Sequence, residues 1–183
     1  KHKTAIADGQ QSLSFAELYE EVTALSSIIH HQTEDKEDVT AVLVCNNSIQ
    51  HILLLFAIQN TGMKLVLIND KNHQNDILNI INTQKNPCLV FASESKMLQV
   101  ENLVCVEELF NYTEKKQIHF KPSQKAAAVI FPTSGTTGAS KLIQKKEGAF
   151  YWFRSFTDLV TYTGIYKQKS VFNVHQRKYW NVF

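Results

Sequence analysis

The chain has 183 residues, of which 44% are hydrophobic and 20% are charged, and its formal net charge is +2. This length and composition suit a folded domain, or most of one, and argue against intrinsic disorder. The small net charge and scattered lysines argue against a nucleic-acid-binding protein, which more often carries a dense basic stripe.

The first predicted elements are a hairpin and a helix. Two short β-prone runs, Thr4–Ala7 and Gln11–Phe15, flank an Asp-Gly pair, which is typical of tight hairpin turns. Apolar residues then recur close to the 3.6-residue period as far as Ile29, which predicts an amphipathic helix. Ser14 and Glu17 fit a capping box at its start.

Strands and helices alternate along the next part of the chain. The predicted strands are Val39–Cys45, Lys64–Ile68, Cys88–Ala92, Asn102–Val106 and Ala126–Phe131. One predicted helix runs from Ile49 to Asn60, with Ser48 and Gly62 as its caps. A second predicted helix starts at Asn72 or Asn75, and its apolar face consists of Ile77, Leu78, Ile80 and Ile81. This order predicts an α/β fold with right-handed βαβ units, a largely parallel sheet and flanking helices. We expect the polar stretch Asn111–Gln124 to be a surface connection.

The cysteines and histidines indicate no special chemistry. Cys45, Cys88 and Cys105 are an odd and sparse set in apolar runs, so we predict buried thiols in strands and no disulfide framework. The histidines lack metal-site spacing, and we predict no structural zinc site. No apolar run approaches the ~18–20 residues of a membrane helix and no secretory signal is visible, so we expect a cytoplasmic protein without a membrane span.

The segment that carries chemistry follows the strand that ends at Phe131. Its candidate ligand-binding residues are Thr133, Ser134, Gly135, Thr136, Thr137, Gly138 and Lys141. Glycines let the backbone approach a ligand closely, successive N–H groups in such a turn form an anion-binding concavity, and a lysine suits phosphate. Loops after sheet strands are also where open α/β folds bind ligands. The segment therefore predicts a polyphosphate site, followed by an extended piece, Leu142–Gln144, and a helix from about Glu147.

Three other interpretations of this loop compete with a polyphosphate site. An ordinary polar turn is possible on composition alone, because Gly, Ser and Thr are common turn residues. A nucleotide P-loop requires Gly-Lys-Ser/Thr, whereas Ser140 precedes Lys141 and Leu142 follows it. A Ser-x-x-Lys motif fails because position 138 is glycine.

The run Ile130–Lys141, IFPTSGTTGASK, closely resembles the AMP-binding signature of the adenylate-forming superfamily, which includes acyl-CoA synthetases, peptide-synthetase adenylation domains and luciferases. Ser140 stands where proline is commonest, which is a mild departure. Leu13–Ile29 and Phe56–Asp70 are similar to other stretches of the same superfamily, in the expected order. The resemblance covers about Thr4–Gly148 and implies that residues 1–183 are a partial N-terminal AMP-binding domain.

The resemblance implies a two-step reaction. A carboxylate attacks the α-phosphate of ATP to give an acyl-adenylate and pyrophosphate, and a thiol of CoA or of carrier-protein pantetheine then takes the acyl group. The seven residues of the loop would cradle the β- and γ-phosphates together with Mg²⁺, which is electrostatic stabilisation of a leaving group. The expected partners are a small carboxylic acid and either CoA or an acyl carrier protein.

Several segments of the superfamily are absent from this sequence. They are the YG.TE segment, the ribose-binding TGD aspartate, the hinge and the C-terminal domain with its catalytic lysine, so the catalytic residues are unknown and we expect the chain alone to be inactive. Phe56–Asp70 lacks the G.AYVPLD form of peptide synthetases, which favours CoA as acceptor. A non-catalytic nucleotide-binding module or pseudoenzyme, and a scaffolding fragment without ligand, stay open.

Residues 165–183 match the superfamily poorly. The run SVFNVHQ is either a strand followed by an aromatic loop, with His175 near an acyl pocket, or a partial strand in a truncated or altered segment. Basic and aromatic residues in this region suggest RNA binding only weakly, because no RNA-binding module surrounds them.

Overall fold

The computed structural model describes residues 3–9, 11–33, 38–46, 48–96, 98–111, 120–123, 128–133, 141–145 and 172–173. The elements in chain order are β1 (Thr4–Ala7), β2 (Ser12–Ser14), α1 (Phe15–Thr33), β3 (Thr40–Cys45), α2 (Ile49–Thr61), β4 (Lys64–Asn69), α3 (Gln74–Asn82), β5 (Cys88–Ala92), a 3₁₀ turn (Glu94–Lys96), β6 (Leu103–Cys105), α4 (Val106–Asn111), β7 (Val129–Thr133), β8 (Lys141–Lys145) and β9 (Phe172–Asn173). Among these residues no helix is long and apolar enough to cross a membrane.

A six-stranded sheet with the order β6-β5-β3-β4-β7-β8 forms the centre of the fold. Its first five strands pair in parallel, and β8 alone runs antiparallel, beside β7. The predicted α/β fold with a largely parallel sheet is therefore confirmed. Because parallel strands need long crossovers, α2 and α3 lie between consecutive strands of the chain.

Both faces of this sheet are covered by apolar side chains. Successive residues of a strand point to opposite faces, so Leu43 joins the cluster under α1, α2 and α4, whereas Val42 joins the cluster under α3. Phe91 is fully buried in the first cluster and Ile77 in the second. The near-continuous apolar strands of the sequence are the expected consequence of burial on two sides.

A smaller sheet with the order β2-β1-β9 joins the first two strands of the chain to a short strand much later in the sequence. The predicted hairpin is confirmed, with antiparallel β1 and β2 and a turn in which Gly9 has φ 92°. The predicted capping box is present as well, since Ser14 N donates to Glu17 Oε2 at 2.7 Å and Glu17 N donates to Ser14 Oγ at 3.3 Å. Phe172–Asn173, within SVFNVHQ, pairs in parallel with β1.

Helix α2 has both caps that the sequence predicts. The Ser48 side chain accepts a hydrogen bond from the backbone N–H of His51, which satisfies one of the free donors of the first turn. At the other end Gly62 takes a left-handed conformation, φ 77°, and its N–H donates to the Gln59 carbonyl at 3.0 Å. These two ends fix the length of the crossover between β3 and β4.

The structure corrects two details of the helical prediction. Helix α3 starts at neither Asn72 nor Asn75, because His73 is its N-cap residue and forms no side-chain capping bond. Residues Asn102–Val106 are not one strand, since β6 has three residues and Val106 begins the unpredicted helix α4. Val106 and Leu109 are both buried, so packing rather than length stabilises this short helix.

The strand before the candidate loop lies later than predicted, and the extended piece after the loop is one residue longer at each end. Strand β7 begins at Val129 rather than Ala126 and continues through Pro132 to Thr133. The extended piece after the loop is strand β8, whose pairing with β7 the sequence does not predict. The helix predicted from about Glu147 lies outside the described residues, as does most of the connection predicted for Asn111–Gln124.

Replacing Gly62 tests the cap of α2. We expect Gly62→Ala to lower the free energy of unfolding by about 1–2 kcal/mol, because a Cβ disfavours the left-handed conformation. Gly62→Asn is the matched control and should cost less, since asparagine tolerates this conformation. Urea denaturation followed by circular dichroism measures both. Equal losses for alanine and asparagine would contradict the left-handed cap.

Candidate phosphate-binding site

The candidate loop joins two paired strand ends. Strands β7 and β8 are antiparallel from Val129↔Lys145 to Thr133↔Lys141, so residues 134–140 connect positions that face each other in the sheet. Thr133 is half-buried and ends β7, and Lys141 begins β8. Both ends of the loop are therefore fixed by a regular ladder.

The structure brings together the first and last of the predicted site residues. Of the seven, only Thr133 is described in full, and Lys141 is described by its place in β8. The others, Ser134, Gly135, Thr136, Thr137 and Gly138, lie outside the described residues. Their assignment to a phosphate site stays a prediction.

The turn that follows β4 is the neighbour of this loop in the sheet. The parallel register Leu65↔Val129 and Val66↔Ile130, continued along both strands, brings Asn69 level with Thr133. Two hydrogen bonds within the turn stabilise it. Lys71 N donates to Asn69 Oδ1 at 2.9 Å, and Asn72 N donates to the Asn69 carbonyl at 3.1 Å. An aspartate or asparagine side chain often holds a turn in this way.

The turn after β3 lies at the same end of the sheet. Asp70 N donates to the Cys45 carbonyl at 3.0 Å, which ties the two turns together. Ser48 N donates to Asn46 Oδ1 at 2.9 Å immediately before α2 begins. The carboxyl ends of β3, β4 and β7 thus form one edge, and the loop at residues 134–140 is joined to it. This is the position at which open α/β sheets bind ligands.

His51, in the first turn of α2, is buried beneath this edge. Its side chain is 3% exposed, and its Nδ1 lies 2.7 Å from Ser48 Oγ. Its Nε2 is buried and has no hydrogen-bond partner in the described part of the chain. Burial lowers the pKa of His51, while the carboxylates of Asp70 and Glu107 oppose that shift. The imidazole is therefore held neutral inside the fold.

Glu107 is bound to the neighbouring turn at the same end of β5 and β6. Its Oε2 accepts hydrogen bonds from Glu94 N at 2.9 Å and from Cys105 Sγ at 3.3 Å. Burial acts to raise the pKa of Glu107, but the N–H groups of Glu94 and Glu107 and the side chains of Cys105 and Ser93 together lower it. The Glu107 carboxylate therefore serves as a hydrogen-bond acceptor that holds the neighbouring turn in place.

The three cysteines are free thiols and stand at strand ends. All three lie in strands as predicted, but they are partly buried rather than buried. Burial, with a smaller contribution from Asp70, raises the pKa of Cys45 to about 12. A thiol with so high a pKa is a poor nucleophile near neutral pH.

Comparison with known proteins gives the family. A sequence model described as "AMP-binding enzyme" matches residues 1–178. The chain belongs to the AMP-binding enzyme family. It is also similar to 2-succinylbenzoate–CoA ligase of Bacillus cereus, with 27% identity over 139 residues. That alignment covers 76% of this chain and 29% of the relative, so this member spans less than a third of the length of such curated relatives.

Solved structures share the fold. The O-succinylbenzoate coenzyme A synthetase (MenE) of Bacillus subtilis, in complex with AMP, superposes with a TM-score of 0.67 at 23% identity, over 82% of this chain and 40% of that chain. The same synthetase with ATP and a magnesium ion gives a TM-score of 0.64 at 22% identity, over 91% of this chain and 35% of that chain. These likenesses place the described sheet within the fold of an adenylate-forming enzyme.

Sequence reasoning did not identify the groups around His51 and Asp70. One available signal was a single histidine inside the otherwise apolar helix sequence IQHILLLFAIQ. Another was the run of polar residues Asn69–Asn72 directly after a buried strand. Neither signal specifies which strand ends become neighbours, because that depends on the strand order.

The buried imidazole of His51 gives a pH dependence that can be measured. A histidine with a lowered folded-state pKa binds fewer protons when folded, so stability is full above the unfolded pKa of about 6.5 and falls as the pH drops below it. We expect His51→Phe and His51→Gln to remove the contribution of His51 to the loss of stability between pH 7.5 and pH 5. Urea denaturation across that range is the measurement. An unchanged pH slope in both variants would contradict a neutral buried His51.

Proposed function

We propose that the chain is the N-terminal part of an ATP-dependent ligase that activates a carboxylic acid as its acyl-adenylate and transfers the acyl group to a thiol. One observation carries the proposal. In a chain of the AMP-binding enzyme family, the glycine- and hydroxyl-rich loop 134–140 starts and ends at paired strand positions on the carboxyl edge of a parallel sheet.

The proposed role of the loop is to bind the β- and γ-phosphates of ATP and then pyrophosphate. Backbone N–H groups and the hydroxyls of Thr133, Ser134, Thr136 and Thr137 would donate to phosphate oxygens, and Gly135 and Gly138 would let the backbone approach them. Lys141 would supply positive charge. Because its two ends are paired in a ladder, the loop can hold these donors with little reorganisation as charge develops on the leaving group.

Mg²⁺ fits this site as a companion of the nucleotide. Within the described ranges, no three His, Cys, Asp or Glu residues are grouped so that they could hold a metal ion. Mg²⁺ commonly keeps several waters and binds through substrate phosphates rather than through an all-protein cage. The hydroxyl donors of the loop suit such an arrangement. Bound there, the ion would neutralise phosphate charge.

The thiol acceptor is proposed to be CoA rather than carrier-protein pantetheine. The sequence Phe56–Asp70 lacks the form common in peptide-synthetase adenylation domains. Relatives at 25–27% identity are named as CoA ligases, and the acid in their name is 2-succinylbenzoate, an aromatic dicarboxylate. That acid is accordingly the first substrate to test. The alternative proposal is a non-catalytic nucleotide-binding module that uses the same loop without catalysis.

Substitution of Lys141 tests the phosphate site. We expect Lys141→Ala to weaken pyrophosphate binding by about 10–100-fold, because a charge-assisted hydrogen bond contributes ~1.5–3 kcal/mol. The matched control is Lys145→Ala, at the other end of the same strand, which should leave binding nearly unchanged. Isothermal titration calorimetry with magnesium pyrophosphate measures both. Equal weakening by the two substitutions would indicate general charge attraction and would sink the assignment of Lys141.

Activity separates the two proposed functions. We expect no ATP–pyrophosphate exchange from these 183 residues alone, with 2-succinylbenzoate or other aromatic acids, because the carboxylate and ribose sites need further chain. The measurement is radiolabelled pyrophosphate exchange into ATP, run beside a longer protein that contains this sequence. Exchange by the longer protein supports the ligase. ATP binding by that protein without exchange for any acid supports the non-catalytic alternative, and exchange by the 183 residues would contradict the expectation of inactivity.

A further inference from the structure

The two ring nitrogens of His51 have different surroundings in the first turn of α2. The side chain is 3% exposed, and its Nδ1 lies 2.7 Å from Ser48 Oγ. Its Nε2 is buried and forms no hydrogen bond within the described part of the chain. A buried polar atom without a partner is rare in native proteins, because removing it from water is costly. The Nε2 atom therefore needs a physical explanation.

The Ser48 hydroxyl indicates which ring nitrogen carries the proton. As the N-cap group, Ser48 Oγ accepts a hydrogen bond from His51 N at 3.4 Å, and it has one hydrogen of its own to donate. Donation of that hydrogen to Nδ1 satisfies both groups and leaves the imidazole proton on Nε2. In the opposite tautomer Oγ would accept from two donors of His51, and its own hydrogen would lack this acceptor. The bond at one ring nitrogen thus sets the state of the other.

The groups around the imidazole also favour an N–H at Nε2. Burial lowers the pKa of His51 most strongly, whereas the carboxylates of Asp70 and Glu107 and the backbone of Val44 act in the opposite direction. These three groups come from the turn after β4, from α4 and from β3. All of them attract a hydrogen-bond donor, and none forms a hydrogen bond with Nε2.

Asp70 is the carboxylate better placed to receive this donor. The Glu107 side chain is already engaged, because its Oε2 accepts from Glu94 N at 2.9 Å and from Cys105 Sγ at 3.3 Å. Asp70 has the larger effect of the two on the pKa of His51. Its backbone N–H donates to the Cys45 carbonyl at 3.0 Å, which holds the residue beside the strand that leads into α2.

A water molecule fits between Nε2 and the Asp70 carboxylate. Because Nε2 has no direct partner, that carboxylate lies beyond hydrogen-bond distance of it, and polar groups at such a separation are commonly bridged by water. Water accepts from an N–H and donates to a carboxylate, and internal waters bind to buried groups that are otherwise unsatisfied. A metal ion does not fit, since the described residues contain no group of three His, Cys, Asp or Glu that could hold one.

We propose that His51 is a positioning residue for the turn Asn69–Asn72, and that its Nε2–H donates to an internal water molecule that donates in turn to the Asp70 carboxylate. The backbone bond to Cys45 attaches this turn to β3, and the water-mediated link attaches it to α2 as well. Asn69 lies level with Thr133, so the turn is the neighbour of the candidate phosphate loop. The effect on that loop rests on the proposed function, whereas the tautomer and the bound water do not.

Nuclear magnetic resonance of the ¹⁵N-labelled imidazole tests the link without any nucleotide. The His51 signals are assigned by their loss in His51→Gln. At neutral pH we expect a hydrogen directly coupled to Nε2 and none on Nδ1, with magnetisation transfer between that hydrogen and water. Asp70→Asn should shift these signals, and Asp76→Asn, an exposed acid of α3, is the matched control and should not. A proton on Nδ1, absence of transfer to water, or equal responses to the two substitutions would overturn the proposal.

Magnesium pyrophosphate titration by calorimetry tests the positioning role. Glutamine at position 51 has an oxygen that accepts from Ser48 and an amide N–H that donates to water, whereas leucine has neither. We expect His51→Gln to bind within about twofold of wild type and His51→Leu to bind about three- to tenfold more weakly. Asp70→Asn should weaken binding in wild type but add little in the His51→Leu background, because the two residues act through one link.

Circular dichroism checks that each variant is folded before titration. Equal affinities of wild type and His51→Leu, or additive losses in the double variant, would overturn the positioning role. Failure of the wild-type chain to bind pyrophosphate would contradict the proposed function instead, and the imidazole signals would still decide whether His51 is linked to Asp70.

Discussion

Parallel pairing of β3, β4 and β7 is the constraint on which the candidate site depends. It sets the carboxyl ends of three strands side by side, and the hydrogen bond from Asp70 N to the Cys45 carbonyl joins two of the turns that leave them. The pairing itself is possible because apolar clusters cover the sheet on both faces. The antiparallel return of β8 then closes the loop between Thr133 and Lys141 at the same edge.

Much of this arrangement could be predicted from local sequence. The hairpin, the capping box of Ser14 and Glu17, both ends of α2 and the alternation of strand and helix each depend on residues close together in the chain. The resemblance of IFPTSGTTGASK to the AMP-binding signature named the family that the comparison with known proteins then gave. Long, strongly patterned elements carry enough periodicity to be identified without tertiary information.

Other features depend on contacts between distant parts of the chain. Helix α4 has six residues, too few for a periodic pattern, and is stabilised by burial of Val106 and Leu109. Helix α3 begins at Gln74, after His73 as its N-cap residue, rather than at Asn72 or Asn75, and its buried side chains are Ile77, Ile80 and Ile81. The neighbours of His51 come from three separate elements, and no local pattern specifies that Asp70 and Glu107 approach it.

The central claim is that the loop between β7 and β8 receives the terminal phosphates of a nucleotide. Titration of ¹⁵N-labelled chain with magnesium pyrophosphate, followed by amide chemical shifts, tests it directly. We expect saturable shifts at Thr133, at Lys141 and in the loop between them, with smaller shifts in the Asn69–Asn72 turn and none in α3. Shifts spread over surface lysines throughout the chain, or an undisturbed loop at saturating pyrophosphate, would contradict it.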